Sequence, residues 1–124
     1  MRRKTKAKKT LIKNREYVYS VACVLLIIDQ VLKLLVRAKV ELLDEIEVVP
    51  GFFSIYHIEN TGGAFSLFSG ATIVLIILSI LVLAFLHYYV LTDEVMTKWR
   101  IFGLGIVIGG ILGNLVDRLL YGAV

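Results

Sequence analysis

The stretch IFGLGIVIGGILGNLVDRLLY, residues 101–121, decides the fold of this 124-residue chain. It is apolar and has about the length of roughly 20 residues that a helix needs to cross a bilayer. Near its end it carries Asn114, Asp117 and Arg118. In the hydrocarbon interior such side chains cost roughly several kcal/mol each, so helices keep them where they pair or line a site. We therefore predict a membrane helix that ends in a polar functional site.

The composition indicates an integral membrane protein. It is 58% hydrophobic with a mean hydropathy of +0.82, whereas ordinary soluble domains are about 45–50% apolar. The excess lies in three runs, 18–36, 71–91 and 101–121. With one Pro and no Gly/Ser linker, residues 1–124 are expected to form a single integral membrane domain, mainly α-helical, with three transmembrane helices.

Residues 1–16 form a basic tail that sets the orientation. We expect them to be disordered or frayed and to lie in the cytoplasm, because positively charged residues next to a membrane helix stay inside. Loop 37–70 is then outside and loop 92–100 is cytoplasmic. We expect the tail to contact anionic membrane lipid. We predict no nucleic-acid role, since no aromatic residues alternate with its charges. Eight of the 14 basic residues lie here: Arg2, Arg3, Lys4, Lys6, Lys8, Lys9, Lys13 and Arg15.

Residues 37–70 predict a small extracytoplasmic β-element. Pro50-Gly51 is a turn signal, and residues 52–58 are rich in aromatic and β-branched side chains. His57 lacks a Ser or Cys partner and is interpreted as a strand residue rather than a catalyst. Downstream, Phe65, Leu67 and Phe68 are expected to face lipid.

Two further patterns converge on the polar end of the third helix. Asp29 and Lys33 are four residues apart in the first helix and share one face. The orientation places them at the depth of Asn114 and Asp117. Two interpretations stay open: a local ion pair that permits insertion, or one polar site between helices.

Small residues mark the third helix as a packing surface. Gly105, Gly109 and Gly113 recur every four residues, which lets a neighbouring helix approach closely. Asp117 continues the same stripe. The alternative is a pure packing seam whose polar end snorkels to the interface.

Three segments together resemble the lipoprotein signal peptidases, the intramembrane aspartic proteases of bacteria. Residues 29–33, DQVLK, resemble the family's D-Q-x-x-K box. Residues 60–65, NTGGAF, resemble its N-x-G-A-A-F segment, with Gly63 where Ala is usual. Residues 109–118, GGILGNLVDR, resemble its G-G-x-x-G-N-x-x-D-R box.

The resemblance implies an enzyme of the bacterial inner membrane. The family cleaves prolipoproteins before a diacylglyceryl-modified Cys, without metal or cofactor, and globomycin-type peptides are its expected inhibitors. It implies four helices, of which three are present, and we expect the fourth to cover the glycine seam. The family's catalytic aspartate pair is expected past Val124, so the chain as given is expected to be inactive and its gene to continue in frame. The substrate-binding or site-bracing residues are Asp29, Lys33, Asn60, Gly62, Asn114, Asp117 and Arg118.

Other interpretations remain. Asp29 and Asp117 are both intramembrane carboxylates, but the cations Lys33 and Arg118 beside them oppose the sharing of one proton. A non-catalytic membrane protein that binds lipidated peptides or acts as a subunit is a second hypothesis. A small packing or scaffold protein is a third.

Overall fold

The computed structural model describes residues 2–62, 70–94 and 96–124, with side chains from Asn14 onward. Three segments, Asn14–Lys39, Thr72–Thr92 and Lys98–Tyr121, are long and apolar enough to cross a membrane. The predicted fold class is confirmed, because the described residues are mainly helical and form a small two-stranded sheet between the first and second helices along the chain. The elements are α1 (Arg2–Lys39), β1 (Glu45–Val49), β2 (Phe53–Tyr56), α2 (Thr72–Thr92) and α3 (Lys98–Tyr121).

Two helices begin earlier than predicted. The expectation of a disordered or frayed tail over residues 1–16 is wrong, because α1 begins at Arg2 and runs for 38 residues. Residues 2–16 contain no Gly or Pro, and Lys, Arg and Ala are good helix formers. The third helix begins at Lys98 rather than 101, since the Thr97 side chain accepts a hydrogen bond from the Arg100 backbone N–H at 3.3 Å. The connection after α2 is therefore shorter than the predicted loop 92–100.

The sheet is a single antiparallel hairpin. Ile46 lies opposite Ile55, and the register shifts by a bulge between Glu47 and Val49. Gly51 has a φ of +67° in the connecting turn, where its backbone N–H donates to the Glu47 carboxylate. This left-handed conformation favours glycine, which explains the Pro50-Gly51 signal. The predicted lipid contact of residues 65–68 lies outside the described residues.

The glycine seam of α3 packs against α1. A Cβ atom on Gly109 would lie 2.9 Å from the backbone oxygen of Ala22, and one on Gly105 would lie 2.6 Å from the Val21 Cβ. One on Gly113 would overlap the Asp29 carboxylate. The expectation that a fourth helix covers this seam is therefore wrong. The reason is that α1 presents its own matching stripe at helical spacing, from Val18 through Ala22 and Leu25 to Asp29.

The opposite end of the α1–α3 pair is held by apolar packing. A buried cluster there also includes Val90 of α2. Arg15 donates to the backbone oxygen of Asp93 at 2.8 Å, and the Asp93 carboxylate lies 2.9 Å from Arg100. The polar site and the apolar cluster therefore occupy opposite ends of the same helix pair. The cluster consists of Val18, Ala22, Val90, Met96, Ile101 and Ile108.

Candidate functional site

Lys33 lies at the centre of a polar cluster between α1 and α3. Its Nζ is 2.8 Å from Oδ2 of Asp29, one turn earlier on α1, and 2.5 Å from Oδ2 of Asp117 on α3. It also donates to Oδ1 of Asn114 at 3.2 Å. An ammonium group has three donors, and here each has an acceptor. The structure thus brings three other predicted site residues together around the Lys33 ammonium group.

Asp117 is the buried anion of this cluster, with 0% of its surface exposed. Its Oδ1 accepts from Nε2 of Gln30 and from Nη2 of Arg37, both at 3.3 Å. Gln30 also donates to the backbone oxygen of Gly113 at 3.3 Å. A buried charge is tolerated when it is both paired and hydrogen-bonded, and Asp117 meets both conditions through α1.

Gln30, Arg37 and Tyr121 belong to the cluster without having been predicted from the sequence. Arg37 lies four residues after Lys33 and so on the same face of α1, which means that helical spacing could have predicted its place in the cluster. Its Cζ lies 4.0 Å from the ring centroid of Tyr121, which in turn follows Asp117 by four residues. No sequence pattern marked Gln30 as a site residue, apart from its position inside DQVLK.

Arg118 forms a second group with the turn that follows the sheet. Its Nη2 donates to the Gly62 backbone oxygen at 3.1 Å, and its Nη1 reaches the Asn114 backbone oxygen at 3.4 Å. The Asn60 side-chain oxygen accepts from the Gly62 backbone N–H at 2.8 Å, which is an Asx turn. Asn60, Gly62 and Arg118 therefore meet, and both described bonds of this guanidinium go to backbone carbonyl oxygens.

The chain that leaves α3 is tied to the same turn. Gly122 ends the helix with a φ of +76°, and its N–H donates to the Arg118 backbone oxygen at 3.0 Å. The N–H of Asn60 donates to the oxygen of Val124 at 2.7 Å, and the N–H of Val124 donates back at 3.0 Å. The Thr72 hydroxyl at the start of α2 donates to the Gly122 oxygen at 2.9 Å. Residues 122–124 consequently run alongside Asn60.

His57 makes a structural contact at the end of α1. Its Nδ1 lies 2.7 Å from the backbone oxygen of Val40. Its backbone continues the sheet, because the His57 N–H donates to the Asp44 oxygen at 3.1 Å. The imidazole therefore links the end of β2 to the segment that connects α1 with β1.

A cavity of about 320 Å³ lies beside the polar cluster, between α1, β2 and Val124. Leu32, Val36 and Ile58 give it an apolar wall, and Lys33 and Arg37 line another side. Mostly apolar walls with a few polar groups are typical of ligand pockets. No three His, Cys, Asp or Glu side chains lie close enough to hold a metal ion within residues 2–62, 70–94 and 96–124.

Comparison with known proteins identifies the family that this chain matches. The family described as "Signal peptidase (SPase) II" matches residues 21–124. A lipoprotein signal peptidase of Maridesulfovibrio salexigens is 38% identical over 106 residues, covering 82% of this chain and 68% of that protein. One of Symbiobacterium thermophilum is 37% identical over 103 residues, covering 83% of this chain and 68% of that protein.

A solved structure also matches the fold of this chain. A bacterial membrane enzyme determined by the in meso method at 2.3 Å resolution superposes with a TM-score of 0.81 at 30% identity. The match covers 86% of this chain and 65% of that one. The chain thus spans about two thirds of the length of the proteins that it matches.

Proposed function

The chain belongs to the signal peptidase II family, and from this membership we propose that it carries the substrate-recognising part of a membrane protease acting on bacterial lipoproteins. The substrate is a prolipoprotein whose signal peptide is removed before a diacylglyceryl-modified Cys. A lipidated cysteine lies where acyl chains meet the polar boundary of the bilayer. The polar end of the α1–α3 pair suits this depth, since apolar helix surface leads directly to it.

The hydrolysis that we propose is of the aspartic type. Two neighbouring carboxylates that share one proton can activate a water molecule and protonate the leaving amine. In the family pattern both aspartates follow the position of Val124. Asp29 and Asp117 do not form that pair here, because the Lys33 ammonium lies between them at 2.8 and 2.5 Å. They serve instead to brace the α1–α3 contact.

The hydrogen bonding of Arg118 is the observation that supports the proposal most directly. Its guanidinium points two donors at backbone carbonyl oxygens, those of Gly62 and Asn114. Its buried Nε has no hydrogen-bond partner in the described part of the chain. A planar group with several donors suits the carbonyl oxygens of an extended peptide. We assign Arg118 to hold the substrate backbone, with Asn114 beside it and the Asn60–Gly62 turn opposite.

The orientation that we propose places the N-terminus in the cytoplasm and the polar site at the outer face of the inner membrane. The support is the basic first half-helix, which the positive-inside rule keeps cytoplasmic. Membrane lipid surrounds the three helices, and a globomycin-type peptide is the expected inhibitor because it would compete for the same carbonyl-binding groups.

Cleavage in liposomes tests the proposal. The protein expressed from its native gene is reconstituted with a synthetic diacylglyceryl-cysteine peptide, and products are identified by mass spectrometry. We expect cleavage before the lipidated Cys and a loss of about 100-fold in Arg118→Ala, since misplacing a substrate by about 1 Å has that effect. Lys98→Ala removes a positive charge from the exposed opposite end of α3 and should retain full activity. Undiminished cleavage by Arg118→Ala would remove the proposed role of that residue.

Residues 1–124 by themselves are expected to bind this lipopeptide without cleaving it, because the family pattern places both catalytic aspartates after Val124. Fluorescence anisotropy of a labelled lipopeptide measures the binding, and the same samples are then analysed for products. Product formation by residues 1–124 would contradict the assignment of the catalytic pair.

A further inference from the structure

Two carboxylates and two cations form a closed set at the polar end of α1 and α3. Asp29 and Asp117 contribute two negative charges, and Lys33 and Arg37 contribute two positive charges. Lys33 bridges both carboxylates, whereas Arg37 reaches only Asp117. The set is therefore electrically neutral only when Arg37 is included.

Arg37 is held in place from a second side. Its Cζ lies 4.0 Å from the centroid of the Tyr121 ring, within the range of a cation–π contact. The buried Nη1 of Arg37 has no hydrogen-bond partner among the described residues, and an aromatic face can accept such an N–H weakly. The guanidinium consequently lies between the Asp117 carboxylate and the Tyr121 ring, one helical turn beyond Lys33.

We propose that Arg37 is a positioning residue: it completes a neutral quartet with Asp29, Lys33 and Asp117 and so fixes the turn of α3 that carries Asn114 and Arg118. Arg37 lies outside all three motifs on which the family resemblance rests. Its role in substrate binding rests on the proposed function, whereas its role in charge balance does not.

The charge balance predicts how the stabilities of single and double variants compare. Arg37→Met leaves two carboxylates with one cation, and Asp117→Asn leaves two cations with one carboxylate. Each single variant therefore carries one uncompensated charge at the buried position of Asp117, which is destabilising. The double variant is neutral again, with Lys33 and Asp29 still paired. It should be more stable than either single variant, although it has lost more side-chain contacts.

Thermal unfolding in detergent micelles tests this double-mutant cycle on the full chain. We expect each single variant to lower the unfolding midpoint by roughly 5 °C or more and the double variant to recover part of that loss. Lys39→Met removes an exposed positive charge two residues further on α1 and should leave the midpoint unchanged. Additive losses in the double variant, or an equal loss in Lys39→Met, would overturn the quartet.

Lipopeptide binding separates this inference from the proposed function. Arg37→Met should weaken binding of a diacylglyceryl-cysteine peptide about tenfold, and Arg37→Lys, which keeps the charge and loses the planar stack, should restore most of it. If the unaltered protein binds no lipopeptide, the proposed function fails while the unfolding cycle still decides the charge balance. If the unaltered protein and Arg37→Met bind equally well, Arg37 does not position the binding groups.

Discussion

Gly109→Ala measures how closely α1 and α3 must approach. The added Cβ would lie 2.9 Å from the Ala22 backbone oxygen and 3.0 Å from the Leu25 Cβ. An ordinary contact begins at 3.4 Å, so the helix backbones must separate locally by 0.5 Å. Overpacking of this kind costs about 1–3 kcal/mol. Ala gains about 1 kcal/mol over Gly in helix propensity, so the net loss of stability is roughly 0–2 kcal/mol.

The neighbouring glycine supplies a matched control. A Cβ on Gly110 meets nothing within 4 Å, so Gly110→Ala gains the same propensity without the overlap. The difference between the two variants isolates the overlap term, about 1–3 kcal/mol. SDS titration in mixed micelles, followed by the fluorescence of Trp99, the single tryptophan, gives both free energies of unfolding. Equal stabilities for Gly109→Ala and Gly110→Ala would refute the close approach of α1 at this seam.

Substitutions at three further positions test the local structure. Thr97→Ala removes the side-chain cap of α3 and should cost about 1 kcal/mol in the same titration, whereas Thr97→Ser should cost little. Gly122→Ala places a side chain at a φ of +76° and should cost about 1–2 kcal/mol in unfolding free energy. His57→Ala removes the contact with Val40; it should lower stability by about 1 kcal/mol while lipopeptide cleavage per folded molecule stays unchanged, and a loss of turnover would instead give His57 a catalytic role.

The central part of the site follows from local rules. Asp29 and Lys33 meet because residues four apart share a helix face. Successive membrane helices alternate in direction, so the first and third helices run the same way and their polar ends lie at the same depth. This common depth brings Asp29 and Lys33 close to Asn114 and Asp117. The hairpin was recognisable from the Pro50-Gly51 signal because its turn requires a left-handed residue.

The remaining contacts depend on the relation between elements. The stripe of glycines predicts a close helix neighbour but does not identify it, and α1 rather than a fourth helix is the neighbour here. Arg37 stands in the last turn of α1, where a basic residue ordinarily suits the helix C-terminus. Its partner in the site, Asp117, lies on α3, so the contact depends on how α3 packs against α1. The reciprocal bonds between Asn60 and Val124 join residues that are far apart in the sequence, so no local pattern contains them.

The glycine seam and the polar cluster depend on each other. In lipid, helices gain little from burying apolar surface against one another, so close packing and hydrogen bonds must hold α1 and α3 together. Gly113 lets the Asp29 carboxylate lie directly against α3, which places Lys33 within reach of Asp117. The resulting ion pairs stabilise the contact that the glycines permit, and they engage both carboxylates with Lys33 and Arg37. Arg118 lies outside this neutral set, and its described bonds go to carbonyl oxygens. The same packing that makes the charges tolerable therefore leaves the Arg118 guanidinium bonded to backbone carbonyl oxygens of this chain, the type of group that we propose it holds in a substrate.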